Sequence, residues 1–511
     1  MLTKQEIKTI LSSKIEEVSP KEIPHFSLLK NIDIATKRVV KAIQNREKIV
    51  VVGDYDVDGV TSTTIINQFF KIINYPLQII IPNRFNDGYG LTPKLMEKIP
   101  ECNLIITVDN GISSYEAGKI CKLRGIDLII TDHHTPTYPL PEAYTIIDPK
   151  QEGETFPFVE ICGAEVAWYL CASLKTALNL KIDMREFLDY LVLAIIADVM
   201  PLNNINRTLV KMGLQKLSKS QKPFALILKE VLNKENFTSE DIGFNIAPKL
   251  NSAGRIKSAD IAFKFLNSET LSEARKYYEQ LNDTNNYRKE IEKEITEISI
   301  ENSNGKNFII ASGDFHEGVI GIVASRLVHH YKLPAIVFSE NGEILKGSGR
   351  SLGDVNIYNL ISNCSEFLEG FGGHKLACGL SLKKDNLKKF IEKIDNETSL
   401  IPKDNFYFDD FVLGEISLSE CDFELLQILQ MFEPYGEGNP KPKFKSKVRI
   451  ENVRNLKDNH YKLIFEQNGV YKEGILFRYD GEFPTETEII FSVGENSWNG
   501  NKTIQLMVDK I

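Results

Sequence analysis

No Cys-x-x-Cys pair occurs in the chain, and its seven cysteines are scattered at irregular spacing. That pattern argues against a disulfide framework and for reduced thiols in a cytoplasmic protein. No apolar run reaches the roughly 18 residues needed to cross a bilayer, so no membrane association is expected. Met1-Leu2-Thr3-Lys4-Gln5-Glu6 lacks the apolar centre of a secretory signal. Positive charge is not in excess either. The net charge of -9 excludes a surface coated with basic residues for unspecific DNA binding, while leaving room for a local basic channel. Repeats and low-complexity tracts are missing as well.

What remains is a chain of 511 residues with ordinary globular composition, enough for about three domains at roughly 100–200 residues each. The first half alternates short apolar runs (Ile49–Val52, Gln78–Ile81, Leu104–Val108, Leu128–Thr131) with helix-length segments such as Thr61–Asn74 and Ser113–Arg124. This pattern predicts an α/β unit with a mostly parallel sheet and helices on both faces. Further helices are predicted at Ala164–Leu178 and Met184–Val199. Leu271 to Ile300 is charged and free of glycine and proline, and reads as a long helical connector. A second, smaller α/β unit starts at Phe308-Ile309-Ile310-Ala311. The tail carries short strand-like runs at Tyr461–Phe465, Gly474–Phe477, Glu488–Val493 and Thr503–Val508, the pattern of a small β-barrel. The expected division is 1–210 for an N-terminal lead and catalytic domain, 211–304 for a helical linker region, 305–400 for the second α/β domain and 401–511 for the barrel.

The chemistry concentrates after the first strand, in Gly53-Asp54-Tyr55-Asp56-Val57-Asp58-Gly59. Three carboxylates crowded beside an apolar run repel one another and call for a cation. A calcium hand would need flanking helices and a glutamate at its twelfth position; that position, counted from Asp54, is Ile65. Comparable groups recur. Leu104–Val108 runs into Asp109, Leu128–Thr131 runs into Asp132-His133-His134, and the apolar helix Leu191–Ala197 leads to Asp198. Ligands in open α/β sheets bind outside the carboxyl ends of strands, so these groups can converge. A carboxylate-rich set with imidazole and no thiolate suits Mn²⁺ or Mg²⁺, and it is large enough for two ions clamping a phosphoryl displacement. Taken singly, each residue has a bland reading: Asp109 as a turn cap, Asp198 as a helix end. Their combination carries the metal reading.

That combination resembles the DHH phosphoesterase superfamily, whose name comes from the Asp132-His133-His134 motif, and within it the RecJ family of single-strand-specific 5′→3′ DNA exonucleases. The matching motifs include Gly53 to Ser62, Pro82-Asn83-Arg84, Thr107-Val108-Asp109-Asn110-Gly111, Ala197-Asp198-Val199-Met200-Pro201 and Pro248 to Arg255. Gly318 to Arg326, Ser348-Gly349-Arg350-Ser351, Gly372-Gly373-His374 and Glu433-Pro434-Tyr435-Gly436 with Gly438-Asn439-Pro440 extend the match to most of the chain. The resemblance implies Asp54, Asp56 and Asp109 as ligands of one ion, and Asp58, Asp109, His133 and Asp198 as ligands of another. It further implies His134 at the scissile phosphate or the leaving group, oriented by Asp132. Ser348, Arg350, Gly373 and His374 of the second domain, with Arg84 and Arg255, become candidates for gripping substrate phosphates. The barrel becomes an OB-like domain with Tyr461, Phe465, Tyr471, Phe477 and Trp498, near Lys457, Lys462 and Lys472, available for stacking on bases.

The implied function is metal-dependent hydrolysis of single-stranded DNA from the 5′ end to 5′-mononucleotides, in recombination and repair, by a monomer working with a single-strand-binding protein and a helicase. The alternative is a phosphodiesterase of the same superfamily acting on short oligonucleotides or cyclic dinucleotides. The barrel and the Pro-Tyr-Gly-x-Gly-Asn-Pro segment discriminate, since a small substrate needs neither.

Overall fold

The computed structural model describes residues 1–511 except 409, 410, 458, 499 and 500, and leaves out the side chains of 341, 457, 497, 498 and 501. Trp498 and Lys457, proposed above for base contacts, therefore have side chains outside the described set.

The first sheet is formed by β1 (Ile49–Val52), β2 (Gln78–Ile80), β3 (Leu104–Val108), β4 (Asp127–Thr131) and β5 (Thr145–Ile147). All pair in parallel, in the order β2-β1-β3-β4-β5. Every residue of β1 and β3 is buried, as expected of strands covered on both faces. Alternation divides them between two cores. Ile49, Val51, Leu104, Ile106 and Val108 join the larger cluster, and Val50, Val52 and Ile105 join the smaller one on the other face. β5 lies outside the sequence expectation; its three residues are too short to show a period. The helix after β1, α1 (Val57–Ile72), begins four residues earlier than expected. Asp56 is the reason: its carboxylate accepts the Gly59 N–H at 3.0 Å and caps the first turn. The opening acidic cluster thus sits on a strand-to-helix turn.

Three more helices position the site: α2 (Gly163–Ala177), α3 (Leu188–Ala197) and α4 (Ala247–Ile256). The connector α5 (Leu271–Asn302) runs for 32 residues from a complete Thr270–Glu273 capping box. It leads into the second sheet, β6 (Ile309–Gly313), β7 (Ala335–Asn341), β8 (Ile344–Arg350), β9 (Leu368–Gly373) and β10 (Ala377–Lys383), ordered β6-β7-β8-β10-β9. α6 (Ile320–Tyr331) and α7 (Leu387–Ser399) pack on this sheet. A buried carboxylate joins connector to second unit: Glu292 pairs with Arg288 on its own helix at 2.6 Å and with Arg326 of α6.

The C-terminal strands are β11 (Val412–Glu415), β12 (Lys443–Lys457), β13 (His460–Gln467), β14 (Val470–Leu476), β15 (Glu486–Trp498) and β16 (Asn501–Lys510). β12 pairs with both β13 and β15, which closes five strands into a barrel, and β11 adds alongside β12. Residues Ile7 and Leu11, from the helix Lys4–Lys14, lie in the barrel core with Phe444, Phe465 and Phe491. Sequence order places that helix beside the first sheet; its packing places it with the barrel. Among the described residues, no helix is long and apolar enough to cross a membrane.

Candidate metal centre

Strand order 2-1-3-4-5 reverses direction between β1 and β3, and such a switch point opens a crevice at the carboxyl ends of the strands. Asp54 follows β1, Asp109 follows β3, and Asp132-His133-His134 follows β4, so all three groups reach that crevice. Asp198 arrives from the C-terminal end of α3. Two close packings let them meet. A Cβ on Gly59 would lie 2.5 Å from the Asp54 backbone nitrogen, and one on Gly163 would lie 2.6 Å from Asp109 Oδ1. Asp109 itself takes a left-handed φ of 61°, a conformation tolerated better by aspartate than by most residues.

The side chains form three overlapping triads with ligand atoms close enough to share an ion: Asp54, Asp56 and Asp109; Asp58, His133 and Asp198; Asp109, His133 and His134. His133 Nε2 stands 3.2 Å from Asp109 Oδ1 and 3.6 Å from both Asp58 Oδ2 and Asp198 Oδ2. None of these approaches is a hydrogen bond. Asp54 Oδ1, Asp109 Oδ1, Asp198 Oδ2 and both His133 ring nitrogens are buried with no protein partner. Buried polar atoms are normally satisfied, so the four orphans that converge, Asp54 Oδ1, Asp109 Oδ1, Asp198 Oδ2 and His133 Nε2, describe a cradle for cations.

Electrostatics agree. Burial pushes the Asp54 and Asp109 carboxyls well above the carboxylate range, and neighbouring aspartates add to the shift. Burial, then Asp58 and Asp56, drive Asp198 up to about 9. Burial raises Asp58 too. Such carboxylates ionise readily only beside positive charge. Burial lowers His133, which favours the neutral imidazole a metal requires. The residues therefore fit Mn²⁺ or Mg²⁺. Asp58 also anchors a helix, since its oxygens accept the N–H groups of Gly163 and Ala164 at 2.7 and 2.8 Å, at the positive end of α2.

Asp132 is satisfied from every side. Oδ1 accepts from His133 N, His134 N and His134 Nδ1 at 2.8, 3.2 and 2.7 Å, and Oδ2 accepts from Ile112 N at 2.8 Å. Burial works against its charge, yet the His134 bond and charge hold it below the usual range. Burial likewise opposes protonation of His134, but Asp132 outweighs it and raises the imidazole to about 9. The bond to Asp132 engages Nδ1 and leaves Nε2 free of carboxylate partners, and the Tyr89 hydroxyl stands 3.4 Å from both ring nitrogens.

The basic candidates gather at the seam between the two α/β units. Arg84 stacks over the Tyr55 ring with its carbon 4.7 Å from the centroid. Burial lowers Arg255 to about 10, and the adjacent Arg84 and Arg350 guanidiniums push the same way. Arg350 bonds Ser348 Oγ at 3.2 Å, and a Cβ on Gly321 in the first turn of α6 would lie 2.9 Å from each of these two groups. Among the described residues, no carboxylate pairs with Arg84, Arg255 or Arg350. Three guanidiniums thus crowd together beside the N-terminus of α6, with Asp56 offsetting part of the repulsion at Arg255. Gly373 and His374 lie at the exposed β9–β10 hairpin tip, where the His374 N–H donates to the Ala377 carbonyl and Ala377 is the β-partner of Arg350. Among the described residues they do not touch the carboxylate cluster.

Sequence reasoning overlooked Asp148, buried at the end of β5. Its Oδ2 lacks a partner, and burial, then Asp132, pushes it up to about 7. The same strand-end logic applied to Thr145-Ile146-Ile147-Asp148 would have found it. Asn110 and Asn251 were also assigned no role; Asn110 Nδ2 ties the carbonyls of Val52 and Val108, and Asn251 Oδ1 accepts the Val57 N–H. On the barrel, Tyr471 and Phe477 are exposed, whereas Phe465 is core and Tyr461 packs 4.8 Å from Phe483. Phe465 is therefore withdrawn as a stacking residue, because its alternation in β13 points it inward.

Comparison with known proteins finds three matching family models. The family model of the DHH family N-terminal domain matches residues 48–195, the DHHA1 domain 305–399 and the RecJ OB domain 414–510. The single-stranded-DNA-specific exonuclease RecJ of Bacillus subtilis is 33% identical over 94% of this chain, which spans 63% of that relative's length. The protein of that name from Salmonella typhimurium is 32% identical over 98% of this chain and 94% of its own. Among solved structures, RecJ of Thermus thermophilus in complex with Mn²⁺ superposes with a TM-score of 0.83 at 26% identity, covering 94% of this chain and 71% of that one. The same protein in complex with Mg²⁺ gives 0.77 at 25% identity, covering 94% and 70%. The motif resemblance, the order of matched domains and these relatives agree: the chain belongs to the RecJ family.

Proposed function

We propose that this chain is a metal-dependent exonuclease that degrades single-stranded DNA from its 5′ end, releasing 5′-mononucleotides in recombination and repair. The observation that carries the reading is the set of four buried, unpartnered ligand atoms, one each on Asp54, Asp109, His133 and Asp198. Asp54, Asp56 and Asp109 would hold one ion, and Asp58, Asp109, His133 and Asp198 the other. Mn²⁺ or Mg²⁺ there would supply charge neutralisation at the phosphoryl group and a more acidic water.

The protein's own groups do the rest. Asp132 clamps His134 at Nδ1, and the raised imidazole keeps a proton on Nε2 to donate to a phosphoryl oxygen or the departing oxygen. Arg84, Arg255, Arg350 and Ser348 take the 5′-terminal phosphate, and Gly373 and His374 border the same strand path from the second domain. Residues 1–210, 211–304, 305–400 and 401–511 serve as catalytic, linker, second α/β and nucleic-acid-binding regions, with Lys4–Lys14 packed on the last. The enzyme works as a cytoplasmic monomer. Single-stranded ends are supplied by other proteins, a helicase and a single-strand-binding protein. The exposed barrel aromatics favour long strands over cyclic dinucleotides as substrate.

Asp109→Ala is expected to abolish cleavage of a labelled single strand in Mn²⁺ while leaving gel-shift binding of that strand in place. Retained turnover would remove the metal assignment.

A further inference from the structure

Asp198 stands at a junction. Its N–H closes α3 on the Ala194 carbonyl at 2.9 Å, and the next residue, Val199, takes a φ of 56°. A β-branched residue rarely adopts that left-handed conformation, and it persists only where the surroundings over-determine it. On the near side, Met200 N–H returns to the Ile195 carbonyl at 3.1 Å. On the far side, the holding groups come from the loop leading into the barrel. Leu202 N–H donates to the Glu437 carbonyl at 2.7 Å. A Cβ on Gly436 would lie 2.7 Å from Leu202 Cδ1, and one on Gly438 3.4 Å from Pro201 Cβ.

The loop is fixed in turn by the catalytic unit. Arg207, 1% exposed, donates to the carbonyls of Phe432, Glu433 and Pro434 at 3.0, 2.9 and 3.3 Å, with its Nε 3.1 Å from Glu17. Ser239 Oγ donates to the Tyr435 carbonyl at 2.6 Å. Asn439 Nδ2 binds the Phe432 and Pro434 carbonyls at 3.0 and 2.8 Å, closing the loop on itself. Apart from Glu17, the partners of this buried guanidinium are three backbone carbonyls of the loop, so its hydrogen bonds fix loop geometry.

We propose that Arg207 is a positioning residue for the metal centre: through the Glu433–Pro440 loop it braces the strained Val199–Leu202 turn and so aims the Asp198 carboxylate. The Pro-Tyr-Gly-x-Gly-Asn-Pro segment then serves the ions as well as the barrel. This inference rests on the reading of Asp198 as a metal ligand.

Isothermal titration of the full-length chain with MnCl₂ tests it in Arg207→Met, Gly436→Val and Asp198→Asn, with folding checked by circular dichroism. Residues that orient ligands typically change metal affinity 10- to 100-fold. Arg207→Met and Gly436→Val are expected near the lower end, about tenfold weaker, with turnover recovered as Mn²⁺ is raised. Asp198→Asn should weaken binding without such recovery. Wild-type affinity in both positioning variants, beside a weakened Asp198→Asn, would overturn the inference alone. Wild-type affinity in Asp198→Asn would overturn the site reading beneath it. Should Arg207→Met fail to fold, Gly436→Val decides by the same criterion.

Discussion

At the scale of single residues, the molecule separates charge by environment. Acidic groups that burial would neutralise face the crevice, while carboxylates with satisfied oxygens, such as Asp132, orient their neighbours. The basic groups show the inverse arrangement. Arg255 is crowded by Arg84 and Arg350, and the Asp56 carboxylate offsets them only in part. A dianionic terminal phosphate would relieve all three, and hydrogen bonds to charged groups contribute about 1.5–3 kcal/mol each. A 5′-phosphorylated oligonucleotide is therefore expected to be cut at least tenfold more efficiently than its 5′-hydroxyl counterpart, and Arg255→Gln should erase the difference through KM. Equal kcat/KM for the two substrates with the wild-type enzyme would rule out a terminal-phosphate pocket.

Elements are held by carboxylates used as anchors. Asp56 starts α1, Asp58 receives the end of α2, and Asp395 of α7 secures the entry to β6. Asp395 Oδ1 accepts the N–H groups of Lys306, Asn307 and Phe308 at 2.8, 2.7 and 3.1 Å. Burial would raise this carboxyl, but those backbone bonds hold it below the ordinary range. A group with a depressed folded-state pKa stabilises fully above its unfolded value, about 3.9, and loses that contribution as pH falls through the folded value. Asp395→Ala should thus destabilise the second α/β unit by about 1.5–3 kcal/mol at neutral pH. The gap between variant and wild type in urea melts should close as pH drops below about 4. A gap that does not change with pH would show that the carboxylate's charge is not what matters.

As a whole, the molecule places a carboxylate crevice, an arginine seam and a barrel so that they report on one another. The connector α5 reaches the second unit through Glu292, and the barrel loop, held by Arg207, reaches the turn after Asp198 through the Glu437 carbonyl. Tyr471 and Phe477 stay exposed on the barrel, whereas Phe444, Phe465 and Phe491 are core. Base stacking on aromatics is worth about 1–3 kcal/mol per base. The double change Tyr471→Ala with Phe477→Ala should raise KM for a long single strand about tenfold or more, leaving kcat and the hydrolysis of a dinucleotide unaltered. An unchanged KM on long strands would show that these rings do not contact substrate.

Much of this was legible in the chain alone. Apolar runs of four or five residues ending in aspartate announce buried parallel strands and a crevice at their ends, because period and charge are local properties. Ile49–Val52 into Asp54 and Leu104–Val108 into Asp109 needed nothing more. The connector was equally plain, since thirty residues without glycine or proline leave the backbone little else to form. Other features required the tertiary structure. Whether Phe465 faces base or core depends on how a closed barrel turns β13, and the β5 acid Asp148 counts only because β5 lies beside β4. The helix Lys4–Lys14 joins a barrel that begins some four hundred residues later, a pairing set by apolar burial between distant segments. The sequence by itself determined which atoms can hold a cation. The tertiary structure alone decided that the unpartnered ones converge and that a distant loop, held by Arg207, packs against the turn after Asp198, because side-chain chemistry is written residue by residue while distance is created by folding.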